Sequence, residues 1–255
     1  MAAKQNSSWL VELPLAVASI TALLGLWQAG VMLFSPPAYL VPAPREVGQA
    51  LFGNAAYLAG HAATTLAEML LGLAAGSLAG TVLALAMAHW QLARRLILPA
   101  IVTTQTLPVF AIAPLVVIWF GFGMPSKVFM AALITFFPVA SAFHDGLSST
   151  RREWLDLARG WAAGDLSTLL RIRVPAALPS LATGLKVAAT LAPIGAIVGE
   201  WAGASAGLGY VMLQANARLQ TDMVFACLVL LAAMAWLLRA AVALAADRIV
   251  FWKDS

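Results

Sequence analysis

The stretch DLARGWAAGDLSTLLRIRVPAALPSLATGLK, from Asp156 to Lys186, determines which fold we predict for this chain. It holds several charged side chains and the pair Pro175 and Pro179, yet apolar segments precede and follow it. A run of this polarity cannot lie in lipid. We therefore interpret it as a long aqueous excursion between membrane segments, and the rest of the fold is built outward from it.

Composition places the whole chain in a membrane. Of 255 residues, 62% are hydrophobic and 10% are charged, and the mean hydropathy is +0.89. Soluble domains carry about 25% charged residues, so this chain lacks the polar side chains to cover a water-exposed surface. The formal charge of +4 does not indicate nucleic acid, because basic residues beside membrane spans serve orientation. The single cysteine, Cys227, excludes an internal disulfide framework and a CxxC motif.

Apolar segments of spanning length recur along the chain. A transmembrane helix needs about 20 apolar residues. Six segments qualify, at 9–34, 65–89, 98–120, 128–143, 181–198 and 223–245. The first could instead be a signal peptide, but it is long and no small-x-small cleavage site follows closely. We predict an all-α polytopic protein forming one domain over residues 1–255, with about six transmembrane helices and a long loop at 148–179.

Basic residues predict the orientation. With both termini in the cytoplasm, ten lysines and arginines fall on that side: Lys4, Arg94, Arg95, Arg151, Arg152, Arg159, Arg171, Arg173, Arg248 and Lys253. Only Arg45, Lys127 and Arg218 fall outside. This bias follows the positive-inside rule, and it places the loop at 148–179 in the cytoplasm.

Two spans carry patterns with structural meaning. Gly72, Gly76 and Gly80 recur every four residues and predict a ridge against which another helix packs closely. In the third span, Pro108 frees a backbone carbonyl that must find a partner in protein or water. Together with Gln105, it predicts a helix that lines a cavity or packs inside the bundle.

The sequence of the long loop predicts two short amphipathic helices. Apolar residues recur at helical spacing over 153–163, and Gly164 is placed to end that helix. Asp165 or Ser167 can cap a second helix over 166–173. The first helix presents tryptophans and small alanines, so two readings stay open. It either lies on the membrane surface or docks into a groove of another protein.

This loop resembles the cytoplasmic signature of permeases of binding-protein-dependent ABC importers. That signature has EAA, three residues, a glycine, and then LP or VP with a further proline. DLARGWA occupies its start, and the distance from Asp156 to Pro175 matches. LPVFAIAPLVVIWFGFGMPSK, TFFPVASAFHDGL and GEWAGASAGLGYVM resemble the nitrate, sulfonate, taurine and thiamine-precursor branch. The last of these is most similar to permeases of thiamine pyrimidine precursors.

Three positions depart from that signature. Asp156 stands in place of glutamate, Leu157 in place of the first alanine, and Ala162 in place of the glycine, while Gly164 comes two residues later. Either the turn is redrawn around Ala163 and Gly164, or coupling to the partner is tuned differently.

The resemblance implies a type I ABC importer permease of the bacterial inner membrane. The loop would be a coupling helix that docks on a cytoplasmic ATPase, through Asp156, Leu157, Ala158, Arg159, Trp161, Ala162, Gly164 and Pro175. The proline pair would form an elbow into the fifth span. Expected partners are two ATP-binding subunits, a second copy of this chain, an extracytoplasmic solute-binding protein and the lipid bilayer. ATP and Mg would bind the partner subunit, and this chain would hold no cofactor.

No catalytic or metal site is predicted. The sequence contains no GxxxxGK[ST] phosphate loop, and the histidines have no HExxH spacing. Ionisable residues in spans are functional candidates, although snorkelling or loop bonding would equally explain Glu68 and Glu200. We predict that the substrate pathway includes Gln105, Pro108, Glu200, Trp201 and Asn216.

The predicted cargo is a thiamine pyrimidine precursor, with sulfonate, taurine or nitrate as alternatives. A secondary transporter coupled to ions is the rival from another class. It would need carboxylates near the midplane of the membrane, and the predicted spans place none there.

Overall fold

The computed structural model describes the backbone of residues 6–106 and 108–250, and side chains there except at 6–17, 20, 100, 102 and 104–106. All regular structure in these ranges is helical, as predicted. The helices are α1 Asn6–Phe34, α2 Pro44–Gly53, α3 Ala55–His89, α4 Gln91–Thr106, α5 Val109–Phe120, α6 Met124–Ser148, α7 Arg152–Gly160, α8 Asp165–Thr168, α9 Val174–Trp201, α10 Leu208–Ala217 and α11 Thr221–Ile249. A π-helical turn, Leu169–Arg173, joins α8 to α9.

Four helical runs in the described ranges are long and apolar enough to cross a membrane. They are α3, α6, the continuous run Asp165–Trp201, and α11. Thr21–Phe34 within α1 and all of α5 are shorter apolar helices. These account for four to six membrane-crossing helices, in agreement with the predicted fold class.

The predicted third span at 98–120 is divided between α4 and α5. Helical structure stops at Thr106 and resumes at Val109, with Pro108 as the extended N-cap at φ −67° and ψ 112°. Pro108 has no N–H to donate to an earlier turn, and its ring disfavours helical geometry in the residue before it. Pro108, which sequence analysis placed inside one span, therefore precedes the start of a separate helix.

The chain divides into two compact units. The first comprises Met1–Leu58 and Val211–Val229. Within it, the Trp27 indole donates a hydrogen bond to the Pro42 carbonyl at 3.1 Å, and the Trp27 ring lies 5.4 Å from that of Phe225. The Thr221 hydroxyl donates to the Ala38 carbonyl at 2.7 Å. That residues 1–255 act as one domain stays a prediction.

The second unit comprises Ala59–Tyr210 and Leu230–Ser255, and α6 lies at its centre. The ridge formed by Gly72, Gly76 and Gly80 of α3 meets α6. A Cβ at Gly76 would lie 2.1 Å from the Thr135 hydroxyl, and one at Gly80 would lie 2.6 Å from the Phe136 carbonyl oxygen. The α6 backbone therefore approaches α3 as closely as the missing side chains permit.

The α6 backbone also meets glycines of α9. A Cβ at Gly195 would lie 2.4 Å from the Ala131 Cα, and one at Gly184 would lie 2.7 Å from the Pro138 carbonyl oxygen. Small residues thus bring three backbones together around α6. The buried core around them is lined by Met69, Leu73, Val139, Ala188, Ala189, Ala192, Ala196 and Leu238.

Candidate functional site

The loop between α6 and α9 presents an apolar surface on α7. Glu153 lies in the first turn of this helix and Arg159 in the last, where each charge complements the helix dipole. Trp154, Leu157 and Trp161 are exposed, and Trp161 keeps 78% of its surface accessible. Ala158, which sequence analysis assigned to the same contact surface, is only 3% exposed.

The end of α7 lies at Gly160, earlier than predicted. Trp161 is the C-cap and Ala162 follows with φ +54°. The Ala162 N–H donates to the Arg159 carbonyl and the Ala163 N–H to the Ala158 carbonyl, which is the hydrogen-bond pattern of a Schellman motif. Left-handed geometry at that position is normally taken by glycine. The turn is therefore not redrawn around Gly164: it uses Ala162, where the related signature has glycine.

Gly164 does not end the first helix of the loop, although the sequence predicted that it would. Its φ is −66°, and it is the N-cap of α8, with no side-chain cap from Asp165 or Ser167. A Cβ built at Gly164 would meet nothing within 4 Å. This position does not require glycine, because both its conformation and its surroundings suit other residues.

Helical structure is continuous through Pro175 and Pro179, where the resemblance implied an elbow. Helical structure runs from Asp165 through the π turn to Trp201, with both prolines inside α9. The Val174 N–H donates to the Leu169 carbonyl, five residues back. A π turn just before Pro175 accommodates a residue that cannot donate to the preceding turn, so no break is needed.

A cavity of about 390 Å³ opens between α7 and the start of α9. It is lined by Trp154, Leu157, Ala158, Trp161, Arg171, Ile172, Pro175 and Ala176. The predicted coupling residues Leu157, Ala158, Trp161 and Pro175 are thereby brought to one concave apolar surface. Asp156 and Arg159 pair with each other at 3.1 Å on exposed positions outside that lining.

Arg173 is the residue of this region that sequence analysis did not single out. Its Nε donates to the Leu147 carbonyl and its Nη1 to the Ala88 carbonyl, each at 3.1 Å. The acceptors belong to the last turns of α6 and α3. An arginine directly before a VP pair was the only signal in the sequence.

A second polar cluster surrounds Glu200, which is 1% exposed near the end of α9. Its carboxylate accepts hydrogen bonds from the backbone N–H groups of Gly209 and Tyr210 and from the Thr65 hydroxyl. Thr65 in turn accepts the Leu208 N–H at 2.8 Å. Of the two explanations considered for Glu200, the geometry agrees with loop bonding: the carboxylate holds the start of α10 against α3.

Two further ionisable residues, Lys127 and Glu68, lie in this cluster. Sequence analysis placed Lys127 in a connection on the external side of the membrane. In the structure it is only 2% exposed, near the start of α6. Its ammonium donates to the carbonyls of Phe122 and Gly203, the latter at 2.7 Å. The carboxyl of Glu68 interacts electrostatically with both Glu200 and Lys127, and its Oε2 has no hydrogen-bond partner among the described groups.

The remaining predicted pathway residues are Gln105, Pro108, Trp201 and Asn216. Trp201 is partly exposed, and its ring lies 6.0 Å from that of Phe110, two residues after Pro108. Asn216 is exposed in the first unit. The side chain of Gln105 lies outside the described set. The pathway assignment therefore stays a prediction.

Comparison with known proteins identifies the family. A family model for the inner membrane component of binding-protein-dependent transport systems matches residues 72–252. A probable ABC transporter permease protein from Haemophilus influenzae is 48% identical over 218 residues, which cover 86% of this chain and 88% of that protein.

The relatives whose names give a cargo include a pyrimidine permease and a riboflavin permease. A formylaminopyrimidine transport permease protein, ThiX, from Halalkalibacterium halodurans is 38% identical over 74% of this chain and 75% of its own length. A riboflavin transport system permease protein, RibX, from Chloroflexus aurantiacus is 33% identical over 93% and 89%. The family resemblance drawn from the loop is confirmed. The chain belongs to the inner membrane components of binding-protein-dependent transport systems: it is a multi-pass ABC importer permease subunit that moves a small solute, while the partner ATPase binds ATP.

Proposed function

We propose that the solute carried by this permease is a thiamine pyrimidine precursor of the formylaminopyrimidine class. The observation that carries the proposal is the 38% identity with a formylaminopyrimidine permease over three quarters of both chains. The motif GEWAGASAGLGYVM contains Glu200 and Trp201 and supports the same branch.

The chemistry of the described side chains supports a neutral aromatic solute over an anion. A sulfonate or nitrate needs a cation or free N–H donors to replace its hydration. The ammonium of Lys127 already donates to two carbonyls, and the N–H groups of Gly209 and Tyr210 already bond to Glu200. Phe110 and Trp201 instead offer exposed aromatic surface on which a pyrimidine ring can stack.

We further propose that the concave surface of α7 and α9 is where the ATPase docks. Exposed tryptophans at the centre of an apolar patch are typical anchors of protein interfaces. Leu157 and Trp161 keep the role predicted from the sequence, and Trp154 joins them. Ala158 supports the surface from beneath, because it is buried.

The assembly follows from the size of the chain and from its charges. Six spans form one half of a two-sided pathway, so we propose a homodimer with two ATPase subunits. The excess of basic residues around the loop between α6 and α9 supports a cytoplasmic location for this loop and for both termini.

The decisive experiment measures ligand binding by the solute-binding protein that delivers solute to this permease. Its thermal stability would be followed with formylaminopyrimidine, riboflavin, taurine, an aliphatic sulfonate and nitrate. We expect stabilisation by the pyrimidine alone. Stabilisation by taurine, sulfonate or nitrate would assign the chain to the other predicted cargo class, and stabilisation by riboflavin would overturn the pyrimidine assignment.

A second measurement separates ATP-driven import from ion-coupled transport. Cells carrying the full system would be assayed for uptake with an inactivated ATPase and, separately, with a collapsed proton gradient in the presence of ATP. We expect uptake to stop in the first case only. The opposite pattern would support the ion-coupled alternative.

A further inference from the structure

We propose that Arg173 is the positioning residue that transmits movement of the α7–α9 loop to α3 and α6. The inference rests on the proposed docking of the ATPase on that loop. It assigns to one side chain the mechanical connection between the docking surface and two membrane helices.

The geometry is specific to the ends of those helices. The last four carbonyls of a helix have no partner within it, and Ala88 and Leu147 lie one residue before the ends of α3 and α6. One guanidinium donates to both carbonyls at 3.1 Å. Its charge also lies at the negative ends of both helix dipoles. Arg173 thus binds two helix ends at once.

Apolar packing reinforces the same connection. Leu169, the first residue of the π turn, lies in one buried hydrophobic cluster with Ala84 of α3 and with Phe143 and Leu147 of α6. Arg173 is the last residue of that turn. Both ends of the π turn therefore engage the ends of α3 and α6, while its middle residues, Arg171 and Ile172, line the docking surface together with α7 and the start of α9.

A rigid connection of this kind has a functional consequence. When the ATPase pair closes, it would displace the loop. α3 and α6 would follow this displacement only if the contacts of Arg173 and Leu169 with their ends do not stretch. Charge-assisted hydrogen bonds from a planar guanidinium resist both translation and rotation, whereas apolar packing alone permits sliding. Removing Arg173 should leave the subunits assembled but weaken the coupling between binding-protein contact and ATP hydrolysis.

The test uses the complete complex of permease, ATPase and binding protein in lipid nanodiscs. ATP hydrolysis would be measured with and without the binding protein for wild type, Arg173→Met, Arg173→Lys and Arg95→Met. Arg95 is an exposed arginine of α4 and serves as the matched control for loss of one basic charge. Assembly would be checked by size-exclusion chromatography.

We expect Arg173→Met to assemble and retain basal hydrolysis but lose binding-protein stimulation by about fivefold or more. Arg173→Lys keeps the charge but lacks the planar fork of the guanidinium, so it should recover an intermediate stimulation, and Arg95→Met should match wild type. Full stimulation in assembled Arg173→Met would overturn the inference. If that variant fails to assemble, Arg173→Lys decides, and wild-type stimulation there overturns it. Absence of stimulation in the wild-type complex would instead contradict the proposed function.

Discussion

The backbone N–H of Ala163 donates to the carbonyl of Ala158 at 3.0 Å, and this bond closes α7 around a left-handed Ala162. The family signature places glycine at that position. An L-residue with a Cβ in this conformation costs about 1–2 kcal/mol. The chain has kept the turn and accepts local strain.

Replacing Ala162 by glycine should stabilise the loop by about 0.5–1 kcal/mol, since relief of strain exceeds the added chain entropy of glycine. Hydrogen exchange of the peptide covering 158–168 should slow accordingly. Ala163→Gly is the matched control and should speed exchange, because Ala163 does not have a positive φ. Equal exchange in Ala162→Gly and wild type would mean that the turn is unstrained.

Replacing Trp161 by glutamate should abolish binding of the ATPase without affecting membrane insertion. Trp161 is largely exposed, so the loop can fold without it, and loss of an interface anchor costs about 2 kcal/mol or more. Co-purification of ATPase with tagged permease is the measurement. Leu166→Glu alters an exposed apolar residue outside the cavity and should bind normally.

Ala158→Glu should behave differently from Trp161→Glu. A carboxylate forced into the 3% exposed site of Ala158 would disrupt α7 itself. The loop should then become sensitive to protease, whereas Trp161→Glu should stay resistant. Similar protease resistance in the two variants would contradict the burial of Ala158.

Replacing Gly76 by alanine should destabilise the packing of α3 on α6 by about 1–3 kcal/mol, because a methyl group would clash with Thr135 and the Ala132 carbonyl. Gly60→Ala in the same helix is the matched control. No atom lies within 4 Å of its Cβ position, so that change should be neutral or stabilising. Unfolding in detergent, followed by tryptophan fluorescence, should separate the two variants.

Replacing Glu200 by alanine should release the segment 203–210. The change leaves the Gly209 and Tyr210 N–H groups without their acceptor, at about 1–3 kcal/mol for each buried donor. Hydrogen exchange of that segment should rise, and Glu200→Gln should have a smaller effect because its carbonyl still accepts. Exposed Glu153→Ala should change nothing there. If Glu200 lines the pathway instead, Glu200→Ala would impair uptake while exchange of 203–210 stays unchanged.

The sequence determined the features that depend on local composition. Apolar length predicted the membrane helices, the spacing of Gly72, Gly76 and Gly80 predicted a packing ridge, and the polar run after Ser148 predicted the first short helix of the loop. The predicted second short helix is instead the start of the continuous run Asp165–Trp201. Motif spacing from Asp156 to Pro175 was enough to recognise the family. Each of these signals lies within one short segment of the sequence, so it can be recognised without knowing how the helices pack.

The tertiary structure alone decided which groups meet. Nothing near Arg173 in sequence shows that the ends of α3 and α6 lie beside it, and nothing near Glu200 indicates Thr65 as its partner. Lys127 reads as a loop lysine until the Gly203 carbonyl is brought within 2.7 Å. Unsatisfied carbonyls and N–H groups at helix ends must find partners, but the identity of each partner depends on how the helices pack. A linear pattern does not contain that information.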